Sequence, residues 1–214
     1  MKRWCQVLTR LVGLLVVGCG FTLPAAEPGL VTLNNPQSVL SVTTAGGGIV
    51  EIRLKRNAVN PLNWTIHGLE PVEVGKPYLR GHFLCLDRWG PATEAEIGHG
   101  MGWHGEATRV WWTVDEEANN KDGQLTATMS AELPLAGLKV ARSLRMAAKE
   151  AVFTVSEAVT NPRHIGRIYN IVQHPSLGTP FLDETTIVDS NAGLGFVQGQ
   201  PLPSEAHPPV QWPY

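Results

Sequence analysis

The chain has 214 residues, 43% of them hydrophobic and 17% charged, which excludes an intrinsically disordered or collagen-like protein. This length suffices for one sizeable hydrophobic core. Lys and Arg number 17 against 19 Asp and Glu, and the formal net charge of −2 removes the electrostatic basis for sequence-independent nucleic-acid binding. We therefore expect no nucleic-acid partner.

Residues 1–26 have the pattern of an export signal. Lys2, Arg3 and Arg10 place positive charge ahead of an apolar run. The apolar segment 11–23 has 13 residues, fewer than the roughly 20 that a membrane-spanning helix needs. We therefore expect an exported protein, periplasmic, lipid-anchored or secreted, with the remaining residues 27–214 in one domain.

The way in which the signal is cleaved stays open. Residues 16–19 read Val-Val-Gly-Cys, which is similar to a bacterial lipobox in which Cys19 is lipidated and becomes the mature N-terminus. Ordinary cleavage near Ala25 or Ala26 fits equally well. A lipid anchor at Cys19 is the only membrane attachment that we expect.

Cysteine is too scarce for a disulfide framework. After cleavage the chain retains at most Cys19 and Cys85, so its stability depends on the core. We interpret Cys85 as a buried strand residue rather than a nucleophile, because the sequence identifies no histidine paired with it.

Alternating and β-branched runs predict an antiparallel all-β protein, a β-sandwich. Short turns separate most of these runs, and an Ala-Gly-Gly-Gly turn joins the first two into a hairpin. By contrast, segment 71–106 lacks a sustained period and is predicted to be a long loop region. The predicted strands are residues 39–44, 49–54, 109–114, 124–133, 138–146, 151–159 and 168–172.

The first candidate site is the glycine-rich segment 98–106. It carries His99, His104 and Glu106 beside Trp103, whose flat apolar face suits stacking of a sugar ring. One alternative is a solvent-exposed glycine loop whose histidines cap turns. Another is a metal-dependent hydrolase that uses the two histidines and Glu106 as ligands, although their spacing matches no helical metal motif.

The second candidate site follows the predicted strand 168–172. His174, next to Gln173, is placed for general acid or base work because imidazole titrates near neutral pH. The alternative is a histidine that hydrogen-bonds a loop carbonyl. A third element contains Arg88, which would bind sugar hydroxyls or pair with a carboxylate such as Asp87. Phosphate-loop, serine-elbow and paired-cysteine motifs are absent, so we expect no cofactor and no metal.

Taken in order from about residue 38, these motifs resemble the galactose mutarotase-like (aldose 1-epimerase-like) superfamily, in a divergent bacterial branch. The resemblance rests on the opening hairpin, Asn60-Pro61-Leu62-Asn63-Trp64, Arg88 ahead of Trp103-His104-Gly105-Glu106, the strand pair between Leu144 and Asn161, and Gln173-His174-Pro175 with Gly178-Thr179-Pro180-Phe181.

The resemblance implies a large antiparallel β-sandwich that binds a carbohydrate and opens its ring by acid–base chemistry. His174 would be the general acid and His104 the second catalytic histidine near the ring oxygen. Arg88 would bind sugar hydroxyls, and we count three residues of the same motifs as substrate-binding with it: Trp103, Glu106 and Gln173.

The sequence departs from the family at three points. Glu106 replaces a glycine, and Gln173-His174-Pro175 replaces an Asn-His-x-Tyr type of motif. The family's catalytic glutamate lies near the end of a longer domain and matches no residue before Tyr214, so we expect residues 27–214 to lack the C-terminal part of the sandwich. Enzymatic activity therefore stays open. The alternative is a non-catalytic exported carbohydrate-binding or envelope protein with the same fold.

Overall fold

The computed structural model describes residues 29–66, 76–195, 204–205 and 208–211. The predicted export signal, residues 1–26, lies outside these residues. Within the described part of the chain, no helix is long and apolar enough to cross a bilayer.

Antiparallel strands form nearly all of the regular structure. They are β1 (Leu30–Asn34), β2 (Ser38–Thr43), β3 (Ile49–Leu54), β4 (His82–Leu86), β5 (Thr113–Lys121), β6 (Gln124–Leu133), β7 (Leu138–Ala147), β8 (Phe153–Thr160), β9 (Ile171–Pro175), β10 (Leu194–Gly195) and β11 (Val210–Gln211). One sheet has the order β1-β2-β3-β4-β9, a second has β5-β6-β7-β8, and β10 pairs with β11. A five-residue helix, α1 (Glu94–Gly98), precedes the glycine-rich segment.

The two large sheets pack face to face over one hydrophobic core. Buried side chains alternate along β6 and β7, as expected for strands with one face covered. Leu33 of β1, Leu40 of β2 and Leu84 of β4 meet Met129 of β6 and Leu144 of β7 in this core. The prediction of an antiparallel β-sandwich is confirmed.

The predicted opening hairpin is also confirmed. Strands β2 and β3 pair in antiparallel register about the glycine turn, where Gly46 and Gly47 have φ of 79° and 64°. A Cβ on Gly47 would lie 2.4 Å from the Trp112 ring. The turn therefore needs glycine both for its backbone and for close packing onto Trp112.

The prediction of an irregular segment 71–106 is wrong at β4 and α1. Strand β4 shows no polar alternation because both of its faces are buried. Leu84 and Leu86 face the core between the sheets, whereas Phe83 and Cys85 pack with Leu79 in a second cluster. A strand covered on both sides reads as a short apolar run, which periodicity does not distinguish from other buried segments.

A buried ion pair lies within the second sheet, and its arginine also contacts the hairpin turn of the first. Arg142 of β7 lies opposite Glu157 of β8, and their side chains, 2% and 5% exposed, meet at 2.6 Å. Arg142 also donates to the Gly47 carbonyl, and its guanidinium carbon lies 4.5 Å from the centre of the Trp112 ring. The guanidinium therefore has partners from both sheets and from the segment between them.

Candidate functional site

The outer face of the first sheet, away from the core, carries the candidate site. Antiparallel register places Phe83 opposite His174 and Cys85 opposite Val172. Because alternate residues of a strand point to the same side, these four side chains share the face opposite to Leu84. The sequence predicted that His174 follows the end of a strand. In the structure it lies within β9.

The glycine-rich segment brings His104 over this face. His104 and Gly105 have φ of 64° and 83°, and Gly105 forms a bridge to Leu86 at the end of β4. The His104 ring is centred 5.2 Å from that of His174 in an edge-to-face arrangement, and 4.9 Å from that of Trp103 in a near-parallel stack. The structure therefore brings together His104, His174 and Trp103.

Aromatic packing and one hydroxyl fix the orientation of His174. Its ring stacks on Phe83 with a centroid distance of 4.4 Å and an interplanar angle of 14°. Nδ1 of His174 lies 3.2 Å from Oγ of the buried Ser176. One face of the imidazole is thus covered, and the half-buried ring keeps its remaining edge available.

Two hydrogen-bonding groups contact Nδ1 of His104 and fix the position of its ring. Its Nδ1 accepts the backbone N–H of Gly90 at 3.2 Å and lies 3.5 Å from Sγ of Cys85. Only 8% of the residue is exposed. Burial is the main cause that lowers the pKa of His104, and the neighbouring His174 adds to the lowering.

Cys85 is fully buried on β4, which confirms its interpretation as a buried strand residue. Burial raises the pKa of its thiol to about 12, so the sulfur keeps its proton at neutral pH. Its histidine neighbour is His104, 19 positions further along the chain. No local sequence pattern predicts this pairing, because it forms only where the glycine-rich segment crosses over β4.

Glu106 ends the glycine-rich segment, but its side chain points away from the histidine pair and reaches the turn between β6 and β7. Its carboxylate accepts the backbone N–H groups of Leu135 at 3.2 Å and Ala136 at 2.9 Å, and only 4% of the residue is exposed. The residue predicted to bind substrate is therefore engaged in fixing a turn, and it anchors the end of the glycine-rich segment there.

This arrangement predicts that Glu106→Gln lowers the free energy of unfolding by about 1.5–3 kcal/mol, because the charge that both N–H groups face is removed. Urea denaturation monitored by circular dichroism measures the change. Glu132→Gln on β6 is the control, since Glu132 forms an exposed pair with Lys139 and its loss is expected to cost less than about 1 kcal/mol. Equal losses in both variants would contradict the assigned role.

The structure brings neither Arg88 nor Gln173 to the histidine pair. Arg88 forms an ion pair with Glu96 of α1, and this guanidinium is the main reason why the pKa of Glu96 falls to about 2. Gln173 lies on the core-facing side of β9, where its amide donates to Glu157 at 2.5 Å and its carbonyl oxygen lies 2.9 Å from Nε2 of His82. Neither contact involves a residue of the pair.

A cavity of about 500 Å³ adjoins Trp103, a residue that is 54% exposed. This volume lies within the range of small-molecule sites. Two of its polar residues, Tyr78 and Arg109, stand outside every motif, so the sequence does not predict them. The other lining residues are Ile66, Lys76, Pro77, Leu79 and Thr108.

The metal-site interpretation finds no support in the described residues. Nδ1 of His99 bonds the Ala95 carbonyl at 2.7 Å, and the Glu106 carboxylate is occupied by backbone N–H groups. Over residues 29–66, 76–195, 204–205 and 208–211, no group of three or more His, Cys, Asp or Glu is placed to hold an ion.

No known family model and no curated protein sequence matches this chain. Among solved structures, it is similar to one described as "a putative mutarotase (YeaD) from Salmonella typhimurium", with 17% sequence identity and a TM-score of 0.42. The alignment covers 56% of this chain and 41% of that one, so the chain matches less than half of the neighbour's length.

Proposed function

We propose that the protein binds a carbohydrate at the outer face of the first sheet and acts on it as an aldose 1-epimerase-like isomerase. The observation that carries the proposal is the pair of imidazoles, with ring centres 5.2 Å apart, beside a half-exposed Trp103. Trp103, but neither imidazole, also lines the cavity of about 500 Å³. Aromatic faces stack with sugar rings, and paired histidines supply hydrogen bonds and protons. The resemblance of the motifs to the mutarotase-like superfamily supports the same function.

In this proposal His174 protonates the ring oxygen, and His104 donates a hydrogen bond beside it. The sugar ring opens, C1 rotates, and closure gives the other anomer once a base has taken the proton of the anomeric hydroxyl. Arg109 and Tyr78 replace Arg88 as the polar residues proposed to contact sugar hydroxyls, because they line the cavity with Trp103.

One observation favours the alternative of a non-catalytic carbohydrate-binding protein. Among the described residues, the hydrogen-bond and ring contacts of the histidine pair are Gly90, Cys85, Ser176, Phe83 and Trp103, and none of these is a carboxylate. The base that ring opening requires is therefore not assigned to a described residue.

Polarimetry on freshly dissolved α-glucose and α-galactose tests the proposal. We expect the protein to accelerate mutarotation and His174→Ala to lose that acceleration. Ile171→Ala is the matched control, because Ile171 lies on the same strand, faces the opposite side and is half-exposed.

The outcomes separate the two functions. If the wild type leaves the rate unchanged but sugars quench tryptophan fluorescence, and Trp103→Ala removes the quenching, the protein is a binder. If acceleration persists in His174→Ala, the assignment of the acid is wrong. Absence of both acceleration and binding overturns both functions.

We also propose that the protein acts outside the cytoplasm. The support is the sequence of residues 1–26, with its positive start, its short apolar run and the lipobox-like Cys19. Fractionation of cells that express the full chain, with and without Cys19→Ala, distinguishes a lipid anchor from ordinary cleavage.

A further inference from the structure

The hydrogen bonds at Nδ1 of His104 determine where its proton lies. The Gly90 group is a backbone amide, which donates and never accepts. Nδ1 must therefore carry a lone pair, and the single proton of the neutral ring lies on Nε2.

The thiol of Cys85 faces the same nitrogen. Cys85 is fully buried, and the β4–β9 register holds it opposite Val172. Its Sγ lies 3.5 Å from Nδ1, within reach of an S–H donor. The Gly90 amide can only donate, which requires an unprotonated Nδ1, and beside that lone pair the thiol is placed to donate as well.

We propose that the Gly90 amide and the Cys85 thiol lock His104 as a neutral imidazole that presents Nε2–H, with Cys85 as a positioning residue. Locked in this way, His104 donates a hydrogen bond to a ligand and does not exchange a proton. The identity of that ligand as a sugar rests on the proposed function, whereas the lock itself does not.

Protonation of His104 would place an N–H at Nδ1 against the Gly90 amide, which only donates, and would force the Cys85 thiol to change from donor to weak acceptor. The titratable groups that contact the ring are His174 from β9 and Cys85 from β4, while Trp103 and Phe83 are uncharged. A charge on His174 adds repulsion, so no neighbour in contact favours the imidazolium form of His104.

His174 has no such restriction. Its Nδ1 meets the hydroxyl of Ser176, which both donates and accepts, so the contact tolerates either protonation state of the ring. The two histidines therefore have different roles. His104 orients a ligand oxygen, and His174 carries the proton.

Nitrogen-15 NMR of the full chain, labelled at histidine, tests the lock. The His104 signals are assigned by comparison with His104→Gln. We expect the shift pattern of the Nε2–H tautomer at pH 7 and a titration midpoint below 6.5. In Cys85→Ala, loss of one opposing donor is expected to raise that midpoint by about one pH unit. Cys85→Ser keeps a donor and should restore it.

Val172→Ala is the matched control, because it removes apolar volume from the same cluster without removing a donor. We expect it to leave the tautomer and the midpoint unchanged. An Nδ1–H pattern or an imidazolium at pH 7 overturns the lock, and an unchanged midpoint in Cys85→Ala overturns the role of Cys85. If Cys85→Ala does not fold, the wild-type tautomer and the Cys85→Ser midpoint decide.

These measurements need no sugar. A locked His104 in a protein without mutarotase activity would reject the proposed function and keep the lock. Mutarotase activity in a protein whose His104 is not locked would support the proposed function and reject the lock.

Discussion

Arg142→Ala is expected to lower the free energy of unfolding by about 3–5 kcal/mol. The substitution leaves Glu157, whose side chain is 5% exposed, without its positive partner in the interior. It also removes the donor to the Gly47 carbonyl and the cation that lies over Trp112. The cost arises chiefly from the stranded carboxylate and not from the loss of an attraction alone.

Urea denaturation measures this change, with Lys139→Ala as the control. Lys139 lies on the same strand and pairs with Glu132, but both of these side chains are exposed, so its loss should cost at most about 1 kcal/mol. The double variant Arg142→Leu with Glu157→Leu should recover much of the stability, because neither charge is then left unpaired. A single variant as stable as the double one would contradict this explanation.

Gly105→Ala is expected to lower the free energy of unfolding by about 3 kcal/mol or more. Gly105 has φ of 83°, a conformation that costs an alanine about 1–2 kcal/mol. The new Cβ would also lie 2.3 Å from the Leu86 carbonyl oxygen, which belongs to the backbone of β4 and has little freedom to move. The bridge that seats His104 over the outer face should therefore be displaced.

Gly123→Ala separates the two contributions. Gly123 has a similar φ of 75°, but a Cβ there meets no atom within 4 Å. We expect a loss of about 1–2 kcal/mol in the control, with unchanged His104 NMR signals. Equal losses in both variants, or an undisturbed His104 in Gly105→Ala, would show that the contact with Leu86 is not the constraint.

Strands with one covered face could be predicted from the sequence. The alternation along β6, β7 and β8 reflects a core on one side and solvent on the other, and it gave their positions within about two residues. Strand β4 was missed because burial on both faces hides the alternation from which a strand is recognised.

The site could be predicted only in part, since residue type does not determine which side of a strand a residue faces. Gln173 and His174 are neighbours in one motif, yet they point to opposite sides of β9. Glu106 and Arg88 have partners, in the β6–β7 turn and in α1, that no spacing rule identifies. The pairing of Cys85 with His104 depends in the same way on tertiary packing.

The position of Gln173 has a consequence for the site on the other side of the sheet. Its amide ties β9 to Glu157, and through Glu157 to Arg142 and the turn at Gly47. A continuous series of hydrogen bonds and one ion pair therefore connects the strand that carries His174 to the second sheet. Substitutions at the buried ion pair should therefore shift the His174 ring through these hydrogen bonds. We expect the ring orientation to change before the protein unfolds, although the substituted residues lie far from the outer face.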